Sequence, residues 1–222
     1  MTDKRIALRK RFTNVDIYPV TCEPLSNGRS DIDVLNNIVQ AGVKIIQLRD
    51  KLSSKKSLYE KACSFRKICY ENDMLLIVND HLDIALACNA DGIHLGQSDL
   101  PVEVVRNLAP DLLIGISTHN LNEVKAIMNS DVDYHNIGPI FKTNTKNCQS
   151  DYLGIEAIQQ LKFDFPFSVM GGIKRHHFPD LVAAGVCRIA MVSEITQAEN
   201  ICKHVQILRS ELIKLLAEKN IT

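Results

Sequence analysis

The sequence has no tryptophan, few aromatic residues and no formal net charge. Its 222 residues include 26 Lys and Arg against 26 Asp and Glu, and only 5% are aromatic. Proteins that bind nucleic acids or membrane surfaces usually carry a basic excess or a basic stripe, which this composition lacks. We therefore expect neither a nucleic acid nor a membrane as a partner, and any functional positive charge must be local.

Long hydrophobic segments are also missing. No run approaches the roughly 18 apolar residues of a membrane span, and the opening stretch MTDKRIALRKRF lacks the apolar centre of a signal peptide. The seven cysteines form no C-x-x-C pair, and most of them have apolar neighbours. This usage is typical of small hydrophobic residues in a reducing compartment, so we expect a cytoplasmic protein.

Short apolar runs alternate with longer segments of helical period along the chain. The runs are rich in Ile, Val and Leu and are bounded by Gly, Asp, Asn or Ser, which is typical of buried parallel strands. Among the intervening segments, SDIDVLNNIVQAG has a Ser or Asp cap and a terminal Gly. The predicted strands lie in DIYPVT, VKIIQLRD, LLIVND, DGIHLGQ, LLIGIST, YHNIGPIF, FSVMGGI and CRIAMVSEI.

Eight strands that alternate with helices, without a linker, predict a single α/β domain over residues 1–222, a (β/α)8 TIM barrel. Within it, 1–14 form an N-terminal extension and 198–217 a C-terminal helix. The nucleotide-binding motifs GxGxxG and GxxxxGK[ST] are absent. Active sites of such barrels lie at the carboxyl ends of the strands, so the polar residues there should form one chemically coherent set.

The second strand ends in QLRDK, and the two-residue period of a strand places Gln47, Arg49 and Lys51 on one side. A polar, basic trio inside a barrel is costly unless an anion meets it. The alternative is a strand end that is simply solvated, which would suffice for one basic residue. One polar and two basic residues at this period favour an anion site.

The third and fourth strands are followed by carboxylates. Asn79 and Asp80 end the third, and Asp99 follows the fourth in GQSD. Each aspartate alone is typical of a helix N-cap, but two of them on neighbouring strands beside basic residues favour Mg²⁺, which prefers oxygen ligands and keeps water and phosphate in its shell.

The later strands end in groups that suit a monophosphate. The sixth runs into KTNTK, which has no apolar residue, and the seventh ends in Gly171 and Gly172, which allow close backbone approach. No GxSxG motif, His–Cys metal cluster or nucleophile–base pair is present. His94 and His119 are the nearest acid–base candidates, although a lone histidine near a barrel strand is more often a hydrogen-bonded core residue.

The segments QLRDK, NDH, DGIHLGQSD, ISTHN, IGPIFKTNTK, GGI and VSEI occur in an order and spacing that resembles the thiamine-phosphate synthase family, from about residue 17 to 195. The resemblance implies a TIM barrel that joins hydroxymethylpyrimidine diphosphate to hydroxyethylthiazole phosphate. Thiamine phosphate and pyrophosphate would be the products, and Mg²⁺ the cofactor. It also suggests a homo-oligomer, which nothing in the residues demands.

The resemblance further implies a role for each matching residue. Asp80 and Asp99 would bind Mg²⁺. Arg49, Lys51, Ser117 and Lys146 would be catalytic, with Ser117 near the pyrimidine and Lys146 on the departing pyrophosphate. Gln47 and Asn79, together with Arg49 and Lys51, would contact the pyrimidine diphosphate. The residues around the thiazole phosphate would be Thr143, Asn144, Thr145, Gly172, Val192 and Ser193. The extension through NCQSDY is long enough to form a lid.

The sequence departs from the family pattern at a few places. Lys142 stands where proline is usual, His81 where arginine is common, and YHN precedes IGPIF with a bulkier polar pair. Three alternatives stay open: a thiazole tautomerase of the same fold, a non-catalytic barrel that binds thiamine phosphate, and an unrelated phosphate-sugar isomerase. The first needs no diphosphate site, so QLRDK, Asp80, Asp99 and Lys146 argue against it.

Overall fold

The computed structural model describes residues 1–143, 152–160 and 165–219. Its eight strands are all parallel, and each lies within one of the eight runs predicted from the sequence. They are β1 (Ile17–Pro19), β2 (Ile45–Leu48), β3 (Leu75–Asn79), β4 (Gly92–Leu95), β5 (Leu113–Thr118), β6 (Tyr134–Ile137), β7 (Phe167–Val169) and β8 (Ile189–Met191).

The strands form one sheet in the order β1-β8-β7-β6-β5-β4-β3-β2. Its two ends meet where Val20, just after β1, bridges Gln47 of β2, and where the amide of Thr21 donates to the Gln47 carbonyl at 2.9 Å. The predicted (β/α)8 barrel is therefore confirmed. The strand predicted in YHNIGPIF is shorter than its apolar run, because pairing stops at Ile137 and Pro139 has no amide hydrogen to donate.

Helices follow the strands, and one of them begins at the serine cap that the sequence predicts. Ser30 accepts from the amide of Asp33 at 3.1 Å and starts the second helix, while Ser54 and Asn200 cap two others. The α-helices are α1 (Asp3–Thr13), α2 (Asp31–Gln40), α3 (Lys55–Glu71), α4 (Leu82–Ala87), α5 (Val102–Leu108), α6 (Leu121–Ile127), α7 (Ile155–Gln159), α8 (Phe178–Ala183), α9 (Ser193–Thr196) and α10 (Ile201–Glu218). In the described part of the chain, no helix has both the length and the apolarity to cross a membrane.

The N-terminal helix α1 is attached to the barrel by a buried ion pair. Arg5 is 3% exposed, and its Nε lies 2.8 Å from Oδ1 of Asp133. Asp133 also accepts from Arg106 at 2.7 Å and from the amide of Ile114 at 2.8 Å. Because both carboxylate oxygens have donors, this charge is compensated where water is excluded. Phe12 of α1 stacks on a barrel tyrosine.

His135 of β6 is fully buried. Neither ring nitrogen finds a hydrogen bond among the residues that the structure describes, and the ring packs on Phe165 with centroids 4.1 Å apart. Burial disfavours the charged imidazolium and lowers the pKa of His135 to about 4. Folding therefore requires the neutral ring.

We expect His135 to make the fold sensitive to mild acid. In the unfolded chain its pKa returns to about 6.5, so its contribution to stability is complete above that pH and is lost as the pH falls toward 4. The wild-type free energy of unfolding should lose about 2 kcal/mol from this residue between pH 7.5 and 5. Urea unfolding at both pH values measures this loss in free energy of unfolding, which should be smaller in His135→Leu than in the wild type. The exposed control His176→Leu should show the same loss as the wild type. Equal losses in wild type and His135→Leu would contradict this.

Candidate active site

The carboxyl ends of the strands enclose a cavity with about 960 Å³ of empty space, counting its open mouth. Eight of the residues predicted from the sequence line it, and they come from segments far apart in the chain. They are Gln47, Arg49, Asn79, Ser117, Thr143, Gly172, Val192 and Ser193.

Two members of the trio predicted at the end of β2 line the cavity, and Lys51 is not among the lining residues. Gln47 and Arg49 line the cavity, whereas Asp50 pairs with Lys61 at 2.6 Å instead. The guanidinium of Arg49 contacts only the thiol of Cys22, at 3.6 Å, and no carboxylate in the described ranges pairs with it. A cation without a protein counterion at the wall of a cavity is suited to an anionic ligand.

Lys51, Asp80 and Asp99 lie together next to this wall. Asp80 follows the cavity residue Asn79, and its Oδ2 lies 3.1 Å from Nζ of Lys51. Asp99 accepts from the amide of Gly96 at 2.6 Å, so it closes a turn and does not cap a helix. Burial and the neighbouring carboxyl of Asp80 raise the pKa of Asp99. The two acids therefore form a like-charged pair that would be stabilised by a cation.

The residues present fit Mg²⁺. Two carboxylates that follow the adjacent strands β3 and β4 supply the oxygen ligands that this ion prefers. Among the described residues there is no cluster of three or more His, Cys, Asp or Glu suited to a metal. A softer, fully protein-bound metal is thus not what this donor set favours. Asp80 has a φ of +61°, in the left-handed region that aspartate tolerates better than most residues.

Gly171 and Gly172 bring β7 against the segment after β6. Phe141 donates its amide to the carbonyl of Gly171 at 3.0 Å. Gly172 has a φ of +65°, and a Cβ there would meet the carbonyl oxygens of Lys142 and, at 2.8 Å, Phe141. The predicted close backbone approach is present, and it holds Thr143 at the cavity.

Part of the predicted site lies outside the described residues. Asn144, Thr145 and Lys146 belong to this part, as do residues 147–151 of the proposed lid. Which of the described residues contact a ligand also stays a prediction.

A chain of hydrogen bonds crosses the barrel interior, and sequence reasoning identified its two ends and His94 but neither of its tyrosines. Gln47 Nε2 lies 2.9 Å from the hydroxyl of Tyr18, which lies 2.9 Å from that of Tyr134. The Tyr134 hydroxyl is 3.1 Å from Nδ1 of His94, and Nε2 of His94 is 2.8 Å from Oγ of Ser117. His94 is 3% exposed. It is thus a hydrogen-bonded core residue that also reaches the cavity.

The cavity has further polar lining that the sequence analysis did not assign. Asn136 lies two residues after the inward-pointing Tyr134, so the period of the strand could have identified it. Its side chain contacts Met170 and Ser168, the latter at 3.1 Å. Lys174 also lines the cavity and pairs with Glu194 at 2.6 Å. No strand pattern predicts that residue, because it follows the strand in a turn.

His119 lines the cavity as well, but it is engaged at the start of α6. Its Nδ1 and its amide both lie within 3.0 Å of Glu123 Oε2. This bonding leaves it poorly placed as a general base, in line with the interpretation that it serves the structure.

Residues 17–195 of the chain match the family model described as thiamine monophosphate synthase. The match covers the whole barrel, from β1 to α9. The chain belongs to the thiamine monophosphate synthase family. The predicted family is confirmed, and so is the prediction of a transferase of thiamine biosynthesis.

Curated members of the thiamine monophosphate synthase family are similar to the chain over most of its length. A thiamine-phosphate synthase of Pelotomaculum thermopropionicum is 41% identical over 198 residues, which cover 88% of this chain and 91% of the relative. One from Shouchella clausii is 42% identical over 188 residues, with 83% and 90% covered. The solved thiamine phosphate pyrophosphorylase of Pyrococcus furiosus superposes with a TM-score of 0.84 at 29% identity, covering 94% of this chain and 99% of that one.

We expect Gly172→Ala to be far more harmful than Gly185→Ala. Both glycines have positive φ, but a Cβ at Gly185 would meet nothing within 4 Å. Each substitution should cost about 1–2 kcal/mol for the left-handed backbone, and Gly172→Ala about 1–3 kcal/mol more because Phe141 and Lys142 must move. Urea unfolding of the two variants measures the difference. Similar losses of unfolding free energy in the two variants would show that Gly172 does not approach Phe141 and Lys142 tightly.

Proposed function

We propose that the protein joins hydroxymethylpyrimidine diphosphate to hydroxyethylthiazole phosphate, forming thiamine phosphate and pyrophosphate with Mg²⁺ as the cofactor. One observation carries this proposal. Arg49 lines the cavity together with Gly172 and Ser193, and Asp80 and Asp99 follow the adjacent strands β3 and β4. A single cavity thus has a strongly charged region for a diphosphate and a backbone-rich region for a monophosphate.

The reaction is a substitution at the methylene carbon of the pyrimidine. The C–O bond breaks and its electron pair leaves with pyrophosphate, which generates a benzylic-type cation that the electron-rich aminopyrimidine stabilises. The lone pair of the thiazole nitrogen then forms the new C–N bond. No proton has to be removed from carbon, so the site needs positioning and charge neutralisation more than a strong base.

The protein residues have matching tasks. Asp80 and Asp99 would hold Mg²⁺, which neutralises charge on the leaving group when bound. Arg49 and Lys51 bind the diphosphate and stabilise the charge that develops on it. Ser117, with Gln47, orients the pyrimidine ring. The cavity walls exclude water, which would otherwise capture the cation.

The backbone at Gly172 and the segment 192–193 receive the thiazole phosphate. Gly172 supports this assignment, because its lack of a Cβ lets the segment after β6 approach the cavity. The hydroxyl of Thr143 lies at the same wall. This placement directs the thiazole nitrogen toward the pyrimidine methylene carbon.

The decisive experiment is an assay of the purified protein with both substrates and Mg²⁺. Equimolar thiamine phosphate and pyrophosphate, identified by mass spectrometry, are the expected products. Isomerisation of the thiazole without pyrophosphate release would favour the tautomerase. Tight binding of thiamine phosphate, measured by calorimetry, together with zero turnover would favour the non-catalytic barrel.

Arg49→Ala should lower kcat/KM for the pyrimidine diphosphate by roughly 10²–10³. Among the described residues the guanidinium pairs with no carboxylate and contacts only the Cys22 thiol, so the loss of activity should report its ligand contact. The KM for the thiazole phosphate should change little. Arg11→Ala is the control, because Arg11 pairs with the exposed Asp73. Wild-type kinetics in Arg49→Ala would place the diphosphate elsewhere.

Asp99→Asn should raise the Mg²⁺ concentration needed for half-maximal activity by at least about tenfold. The change keeps the shape of the side chain, and the amide oxygen can still accept from Gly96, but one charge is lost. Asp73→Asn is the matched control at an exposed position. A metal titration that is the same in wild type and Asp99→Asn would remove Asp99 from the metal site.

A further inference from the structure

The hydrogen-bond chain inside the barrel connects two residues that, on the proposed function, contact the pyrimidine. Gln47 and Ser117 lie on β2 and β5, and three residues link them: Tyr18, Tyr134 and His94. All five are at most 8% exposed, and both tyrosines are fully buried. Water therefore cannot easily substitute for a missing partner in this chain.

The position of the donors fixes a single direction along it. Tyr18 accepts from Gln47 Nε2, so its own proton must be donated to the Tyr134 hydroxyl. Tyr134 in turn has to donate to Nδ1 of His94. The proton of a neutral His94 then lies on Nε2 and is donated to Ser117 Oγ.

This direction determines what each end offers to the cavity. Ser117 accepts from His94, so its own hydroxyl proton stays available for an acceptor on a ligand. Gln47 uses one N–H on Tyr18, so its carbonyl oxygen stays available for a donor. If the chain ran the other way, Gln47 would offer only N–H groups and Ser117 only lone pairs. Reversal at one end therefore requires reversal at the other, since no buried hydroxyl can be left without a partner.

We propose that Tyr18, Tyr134 and His94 are positioning residues that lock the polarity of the pyrimidine site, with Ser117 as the donor and Gln47 as the acceptor. The chemistry selected is a heterocycle that presents an amino donor and a ring-nitrogen acceptor together. The identity of that heterocycle rests on the proposed function, whereas the polarity lock rests on the hydrogen-bond chain alone.

The first test is the tautomer of His94, observed by ¹⁵N NMR of histidine-labelled protein and assigned with His94→Gln. In the wild type we expect a neutral ring protonated on Nε2. The second measurement uses Gln47→Glu at a pH where the ¹³C shift of the new side chain shows an ionised carboxylate. This carboxylate can only accept a hydrogen bond from Tyr18. The whole chain must then reverse, and His94 should carry its proton on Nδ1.

The control interrupts the chain without disturbing its packing. Tyr134→Phe keeps the ring that stacks on Phe12 at 4.1 Å but removes the hydroxyl. In the double variant Gln47→Glu/Tyr134→Phe, the tautomer of His94 should match that of Tyr134→Phe alone. The proposal is overturned if Gln47→Glu leaves the tautomer of His94 unchanged, or if wild-type His94 is doubly protonated. It is also overturned if His94 has a different tautomer in the double variant than in Tyr134→Phe alone.

A kinetic test connects the chain to the reaction. Tyr134→Phe should lower kcat/KM for the pyrimidine diphosphate about tenfold, the effect of one misdirected hydrogen bond. The KM for the thiazole phosphate should stay unchanged, and the exposed control Tyr70→Phe should behave as wild type. Equal effects on both substrates would indicate a general structural role and overturn the proposal. The NMR readouts need no substrate, so they hold even if the proposed reaction is wrong.

Discussion

The need to satisfy polar groups inside the barrel is the constraint on which the candidate site depends. Tyr18, Tyr134 and His94 fill the interior, and each would cost about 1–3 kcal/mol if left without a partner. They are compatible with the fold only as a connected chain, which holds Gln47 and Ser117 in fixed orientations. The two side chains are thus positioned before any ligand arrives, which is the arrangement that catalysis by orientation requires.

The same constraint separates neutral polar groups from charges. Burial raises the pKa of both tyrosines, so the two hydroxyls stay uncharged. Formal charges lie at the mouth, where Lys51 is half-exposed and pairs with Asp80. At the opposite end, Asp133 is buried only because Arg5 and Arg106 neutralise it. A ligand with a flat heterocycle and a charged phosphate matches this division between the interior and the mouth.

The period of apolar residues and the chemistry of strand ends predicted most of the fold and much of the site. Gln47 and Arg49 were found because alternation along one strand is local information. The contact between Tyr18 and Tyr134 was not, because it joins residues 116 apart in sequence and exists only when the barrel closes. Lys174 was missed for a different reason, since a turn residue has no periodic pattern to reveal it.

Some local rules of protein structure are broken at the site. Asp80 has a left-handed backbone, Asp99 lies next to a second carboxyl, and Gly172 leaves no space for a side chain. The left-handed backbone and the like-charge repulsion of the carboxyl pair both oppose folding. A cation bound between the carboxylates would relieve that repulsion, so metal binding and stability should be linked in this protein. The surrounding apolar core must supply the stability that these residues do not.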